Sequence, residues 1–207
     1  MPLRLPDGTR VVLGAASTLR YSATFGAARE VVLDGEGYFE VVHDPRHPFR
    51  VRAGDAVAED IGTAFGVRAY PRDGTVRVVV ATGAVALHSA RDSSAPRAML
   101  RPGQRGALRR GETRVAVDSA ELSSALAWLR GALAFDDAPL PEVVAELERW
   151  YDVRIRIGDS TLATRRLTAS FPSATLADVL AALAPALDLR YARDADTLVV
   201  LARSGRR

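Results

Sequence analysis

The sequence predicts an α+β protein: an all-β, solenoid- or sandwich-like domain over residues 1–117, a linking helix over 118–132, and a small β-α-β-β-α-β module over 133–207. Three observations carry this. Short β-branched runs alternate with turn residues as far as Val117, helical spacing of apolar residues begins only after it, and the C-terminal part repeats itself without a gap. Phe135–Ile155 (FDDAPLPEVVAELERWYDVRI) aligns with Phe171–Tyr191 (FPSATLADVLAALAPALDLRY) at an offset of 36 residues, placing Leu140 on Leu176, Val143 on Val179, Leu147 on Leu183, Asp152 on Asp188 and Arg154 on Arg190.

In chain order, Thr9–Leu13 follows the Asp7-Gly8 turn. Arg29–Leu33 ends at Asp34-Gly35, and Gly37–Val42 ends at Asp44-Pro45. Phe49–Arg52, Phe65–Tyr70, Thr75–Val80, Val85–His88, Ala98–Leu100, Arg105–Leu108 and Thr113–Val117 complete the strands. Asp-Gly at 7, 34 and 73 marks tight turns, because glycine accepts a positive φ at little cost. Leu122, Ala125, Leu126 and Leu129 share a helical face that Gly131 closes, with Trp128 as a packing anchor.

In the first repeat, Asp137 is placed to cap a helix whose stripe is Leu140, Val143, Val144, Leu147 and Tyr151. In the second, Thr175 and Asp178 form a capping box before Leu176, Val179, Leu180, Leu183 and Leu187, and Pro185 ends the helix. Strands Val153–Ile157, Leu167–Phe171, Leu187–Tyr191 and Thr197–Leu201 then give one sheet with both helices on one face. So small a layer leaves little room for a buried active site and suits docking.

Composition narrows the function classes. With 207 residues, 48% of them hydrophobic, the chain buries a real core. It has no cysteine, which excludes disulfides, thiol nucleophiles and cysteine-ligated metals. Its basic residues are all arginine, as a GC-rich coding sequence gives, and they are interspersed with acids to a net charge of +3. A nucleic-acid face needs clustered charge, so nucleic acid is not an expected partner. No apolar run reaches the length of a membrane span, and the start lacks a signal peptide's apolar core, reading like the middle of a domain.

Candidate chemistry is sparse. His43 and His47 are four apart, but Pro45 and Pro48 make their segment a turn, so they read as a solvated loop and not a metal site. Glu36 and Glu40 share strand parity and read, with Asp44, as a wet face; His88 reads as structural. The glycines of Gly62-Thr63-Ala64-Phe65-Gly66 fit strand-to-strand turns better than a nucleotide loop. No enzyme activity and no cofactor is expected.

With these residues laid out, the chain resembles the FecR family of membrane-bound anti-sigma factors. The likeness runs through Leu5-Pro6-Asp7-Gly8-Thr9, Ser17-Thr18-Leu19, Val32-Leu33-Asp34-Gly35-Glu36-Gly37-Tyr38-Phe39-Glu40-Val41, Pro48-Phe49-Arg50-Val51 and Gly62–Tyr70. It continues through Gly83-Ala84-Val85, Leu100-Arg101-Pro102-Gly103-Gln104, Trp128–Phe135 and Pro139-Leu140-Pro141-Glu142-Val143. The resemblance implies that residues 5 to about 117 are the family's β-rich periplasmic domain, and that 133–202 is similar to the short N-terminal module of secretins and TonB-dependent receptors.

It further implies the periplasmic part of a single-pass inner-membrane protein, whose cytoplasmic anti-sigma domain and membrane helix lie outside this sequence. The implied partners are the N-terminal signalling domain of an outer-membrane TonB-dependent transducer carrying an iron–siderophore-type signal and, through the cytoplasmic part only, an extracytoplasmic-function sigma factor. For docking by strand addition, the expected edge is Thr197, Leu198, Val199, Val200 and Leu201, which ends the chain's strands. The alternative edge is Val153, Arg154, Ile155, Arg156 and Ile157. A non-catalytic envelope adaptor or carbohydrate-binding β module is the competing reading, and it requires an exposed aromatic platform.

Overall fold

In the computed structural model, which describes residues 2–25, 28–60, 62–92, 94–195 and 198–203, the chain forms two units, Met1–Leu126 and Ala127–Arg207. The first contains strands β1 (Leu3–Arg4), β2 (Arg10–Leu13), β3 (Thr18–Tyr21), β4 (Glu30–Glu40), β5 (Phe49–Ala53), β6 (Ala56–Asp60), β7 (Ala64–Ala69), β8 (Thr75–Thr82), β9 (Val85–Ser89), β10 (Ala98–Leu100), β11 (Gln104–Arg109) and β12 (Ala116–Ser119), then the single turn of helix α1 (Leu122–Ala125). The strands run β10-β9-β6-β5-β4-β7-β8-β11-β12, with β2 and β3 also on β4 and β1 on β2. Every ladder of this unit is antiparallel except β4–β5, so among its described residues the unit winds back and forth and does not coil as a solenoid.

One strand organises this nearly closed sheet. The first half of β4 pairs with β3 and β5, its second half with β2 and β7. The changeover is Gly35, where a turn is expected from the sequence; the strand instead runs straight through, with Gly35 at φ +113°. A Cβ there would lie 2.3 Å from Ser17 Oγ, and that hydroxyl accepts the Glu36 amide at 2.8 Å. The close approach of the 14–17 turn therefore needs glycine at the position, and Asp34-Gly35 serves a sheet switch and not a hairpin.

Side chains of odd parity on β4 (Val31, Leu33, Phe39) point into a core with Val51, Val67, Val78, Val85 and Leu108. Phe25, Phe49, Phe39 and Phe65, each at most 1% exposed, form a chain of ring contacts with centroids 6.2, 5.9 and 5.4 Å apart. Burying each ring contributes about 1.5–3 kcal/mol. Beside Phe49 lies Arg29, 5% exposed. It contacts Asp7 at 2.7 Å and donates to the carbonyls of His47 (2.8 Å) and Val42 (2.6 Å).

Surface carboxylates add a pH dependence. The Asp55 carboxyl is held below its usual range by Arg91 and the Gly111 amide, and that of Asp118 by Arg105. These groups bind protons less tightly folded than unfolded. Their stabilisation is therefore complete above the unfolded value of about 3.9 and fades as pH falls through the lower folded values. We expect the thermal midpoint to drop as pH is lowered below about 4, and Asp55→Asn to flatten that drop; an unchanged profile would contradict the assignment.

The expected linking helix is only α1 followed by a 3-10 turn, Ala127–Arg130, which Gly131 closes in the left-handed region. The second unit then runs β13 (Ala132–Pro139), α2 (Leu140–Tyr151), β14 (Arg154–Ile157), β15 (Arg166–Pro172), α3 (Leu176–Ala186), β16 (Leu189–Ala195) and β17 (Leu198–Arg203). Both apolar stripes face the core: Leu140, Val143, Leu147, Val179 and Leu183 are each 0% exposed, and Tyr151 and Leu176 are half-buried at their ends. The α3 capping box of Thr175 and Asp178 is present.

Asp137 does not cap α2. That helix starts at Leu140, so its N-cap is Pro139, and Asp137 lies too far upstream, in a bulge of β13 with its carboxylate on Arg166 at 2.7 Å. The repeat extends to the backbone, because left-handed residues recur at its offset: Asp137 (φ +45°) with Ser173 (+51°), and Asp152 (+51°) with Asp188 (+49°). Phe135 and Phe171, equivalent in the repeat, meet edge to face at 6.3 Å.

One sheet covered by two helices is not what forms. The strands divide into β13–β15, antiparallel, and β14-β17-β16, with β14 parallel and β16 antiparallel to β17. The left-handed residues at 152 and 188 follow α2 and α3 and lead into β14 and β16 of the second sheet, whereas the bulge at 136–137 lies within the β13–β15 ladder.

Candidate docking site

An added strand needs unpaired backbone donors and acceptors along a sheet edge. The segment Leu198, Val199, Val200 and Leu201 does not offer one, because β17 is the middle strand, pairing with β14 through all four residues and with β16 on its other side. Thr197 lies outside the described residues. From the sequence, the last strand is expected to be unpartnered because no further strand follows it. A parallel return beside β14, which lies far earlier in the chain, supplies the partner.

The edges of this sheet are β14 and β16, so the alternative segment, Val153 and Arg154–Ile157, is at an edge. Along β14, Ile155 is 7% exposed and packs in the core with Val153 and Ile157. Arg154 and Arg156, of opposite parity, are exposed, and among the described residues neither makes an ion pair.

The edge carries a feature that the sequence did not disclose. Glu148, on α2, accepts the Ile155 amide through its carboxylate at 2.8 Å. It lies off the apolar stripe and in the last turn of the helix. An acid there faces the negative end of the helix dipole, which costs about 0.3–1 kcal/mol; a charge-assisted bond to a backbone donor offsets that. Its only signal in sequence is an acid where a helix end favours a base. The Tyr151 hydroxyl, near the end of the same helix, donates to the Ala174 carbonyl of the second repeat at 2.7 Å.

The other candidates of the sequence lie in the first unit and do not converge. His47 bonds Asp44 at 2.9 Å, whereas His43 lies over Gly62. Among the described residues no group of acids and histidines is arranged to hold a metal. Glu40 is exposed and paired with Arg10 at 3.2 Å. Glu36 has the outward parity of a wet face yet is only 8% exposed, because Arg68 lies over it at 3.5 Å and itself bonds Asp73 and stacks on Tyr70. The Gly62 segment is a turn. Buried Asp60 accepts the Gly62 and Thr63 amides and the Thr63 hydroxyl. Beside it is an open groove of about 350 Å³ between Arg10, Glu40, Val42 and Thr82. Tyr70 and Phe25 are buried and Tyr21 is 43% exposed, which gives no aromatic platform among these residues.

Comparison with known proteins covers both units. Residues 1–86 match the family model described as FecR protein, and residues 132–200 match that described as FecR, C-terminal. No curated protein matches the chain significantly. Two crystal structures of a candidate anti-sigma factor from Parabacteroides distasonis ATCC 8503 are similar to it throughout. Each is 29% identical, with TM-scores of 0.89 and 0.88 over 99% of this chain and 95% and 94% of that one.

Proposed function

Because the chain belongs to the FecR family of anti-sigma factors, we propose that it is the periplasmic, signal-receiving part of a membrane-anchored regulator. Its C-terminal unit binds the N-terminal signalling domain of an outer-membrane TonB-dependent transducer and relays an iron–siderophore-type signal to an extracytoplasmic-function sigma factor. The observation that carries this is the sheet edge at β14, within the segment matching the C-terminal family model: an edge strand suits strand addition, with the Ile155 donor held by a side chain that a partner can displace, where catalysis would need converging side chains. In this reading β14 replaces β17 as the docking strand. The described residues include no helix long and apolar enough to cross a membrane; in this reading the anchor and the sigma-binding segment are other parts of the regulator.

The test is affinity capture from detergent-solubilised outer membranes of the source organism, with the purified chain as bait. We expect recovery of a TonB-dependent transducer, lost when its N-terminal signalling domain is deleted. Retention of a polysaccharide or of another envelope protein, with no transducer, would reject the proposal in favour of an envelope adaptor.

A further inference from the structure

We infer that Glu148 is a displaceable plug on the docking edge, and that the strand which displaces it is an extended acidic segment of the partner; this rests on the functional reading above. A free edge is a hazard, since any unpaired donor invites indiscriminate pairing. Here the Ile155 amide is occupied by a carboxylate from the preceding helix, a cover that a side chain can withdraw by changing rotamer while the sheet stays intact. Displacement exchanges one bond at this amide for another: a partner carbonyl takes the Ile155 N–H that the Glu148 carboxylate held.

Arg154 and Arg156 identify the occupant. They flank Ile155, are exposed, and have no carboxylate partner among the described residues. An incoming strand with acidic side chains on that face meets both across the ladder. A second copy of this chain fits poorly, because antiparallel pairing of β14 with itself sets arginine against arginine, a repulsive cross-strand arrangement. The partner is thus an acidic strand from another protein.

The experiment measures amide hydrogen exchange at Ile155 in the whole chain, alone and with the transducer's N-terminal signalling domain as probe. Glu148→Ala should speed exchange at Ile155 at least tenfold, while Glu148→Gln, which keeps an acceptor, stays near the parent. The probe should protect Ile155 and bind Glu148→Ala several-fold more tightly, and Arg154→Glu with Arg156→Glu should weaken it tenfold or more. Unchanged exchange in Glu148→Ala would overturn the plug. Tight binding that neither protects Ile155 nor responds to the arginine changes would overturn the edge, and dimerisation of Glu148→Ala would overturn the choice of occupant. A probe that does not bind at all rejects the functional reading and, with it, the occupant; the exchange result still decides the plug.

Discussion

Replacing Arg29 with alanine is expected to destabilise the N-terminal unit by about 3–5 kcal/mol, the range for removing one member of a buried ion pair. The guanidinium side chain is 4% exposed and that of Asp7 13%. Removal leaves the Asp7 carboxylate, already turned inward to accept the Thr9 amide and hydroxyl, without its counter-charge. It also leaves the carbonyls of Val42 and His47 without a donor. The three contacts tie the 7–9 turn to the segment between β4 and β5, so the loss falls on a junction of the sheet. Chemical denaturation followed by far-ultraviolet circular dichroism would measure it, and a loss below about 1 kcal/mol would mean that water replaces the guanidinium. Arg29→Met combined with Asp7→Asn should recover part of the deficit, since no uncompensated charge then remains.

The second large effect belongs to Leu147→Ala, expected to cost about 2–5 kcal/mol in the C-terminal unit. Leu147 is 0% exposed and packs in the core on which both repeats converge. The small gain in helix propensity from alanine does not approach the transfer and cavity terms. Both tryptophans, Trp128 and Trp150, lie in this unit, so intrinsic fluorescence reports its unfolding selectively. Leu176→Ala, at a half-buried position of the other helix, should cost less. Equal effects at the two sites would show that the burial difference does not govern stability here.

Much of the fold was legible because it is written in local pattern. The two stripes, the Thr175–Asp178 box and the 36-residue offset each follow from spacing alone. The sequence missed β1, β3 and β6, and β6 shows why. Ala56–Asp60 has one β-branched residue and ends in two acids, yet four of its five residues are buried, a strand made by its neighbours and not by its own propensity. Gly35 was misread for a related reason: Asp-Gly favours a turn, but Ser17, far away in the sequence, holds the glycine in an extended strand. The proposed docking edge was only half legible. That 198–201 forms a strand follows from its composition, but which strands lie beside it depends on long-range pairing that no local pattern encodes. Glu148 reaching Ile155 follows no periodicity of helix or strand.

The position of β17 has a consequence for assembly. Its two neighbours, β14 and β16, are the strands that the repeat makes equivalent, so the chain's final strand joins the two copies as their common partner. During synthesis the second unit cannot complete its three-stranded sheet until Leu198–Arg203 has emerged. A proteolytic cut just before Leu198 would therefore not shorten an edge. It would take out the middle of the sheet, expose the inner flanks of β14 and β16, and remove the parallel neighbour of β14.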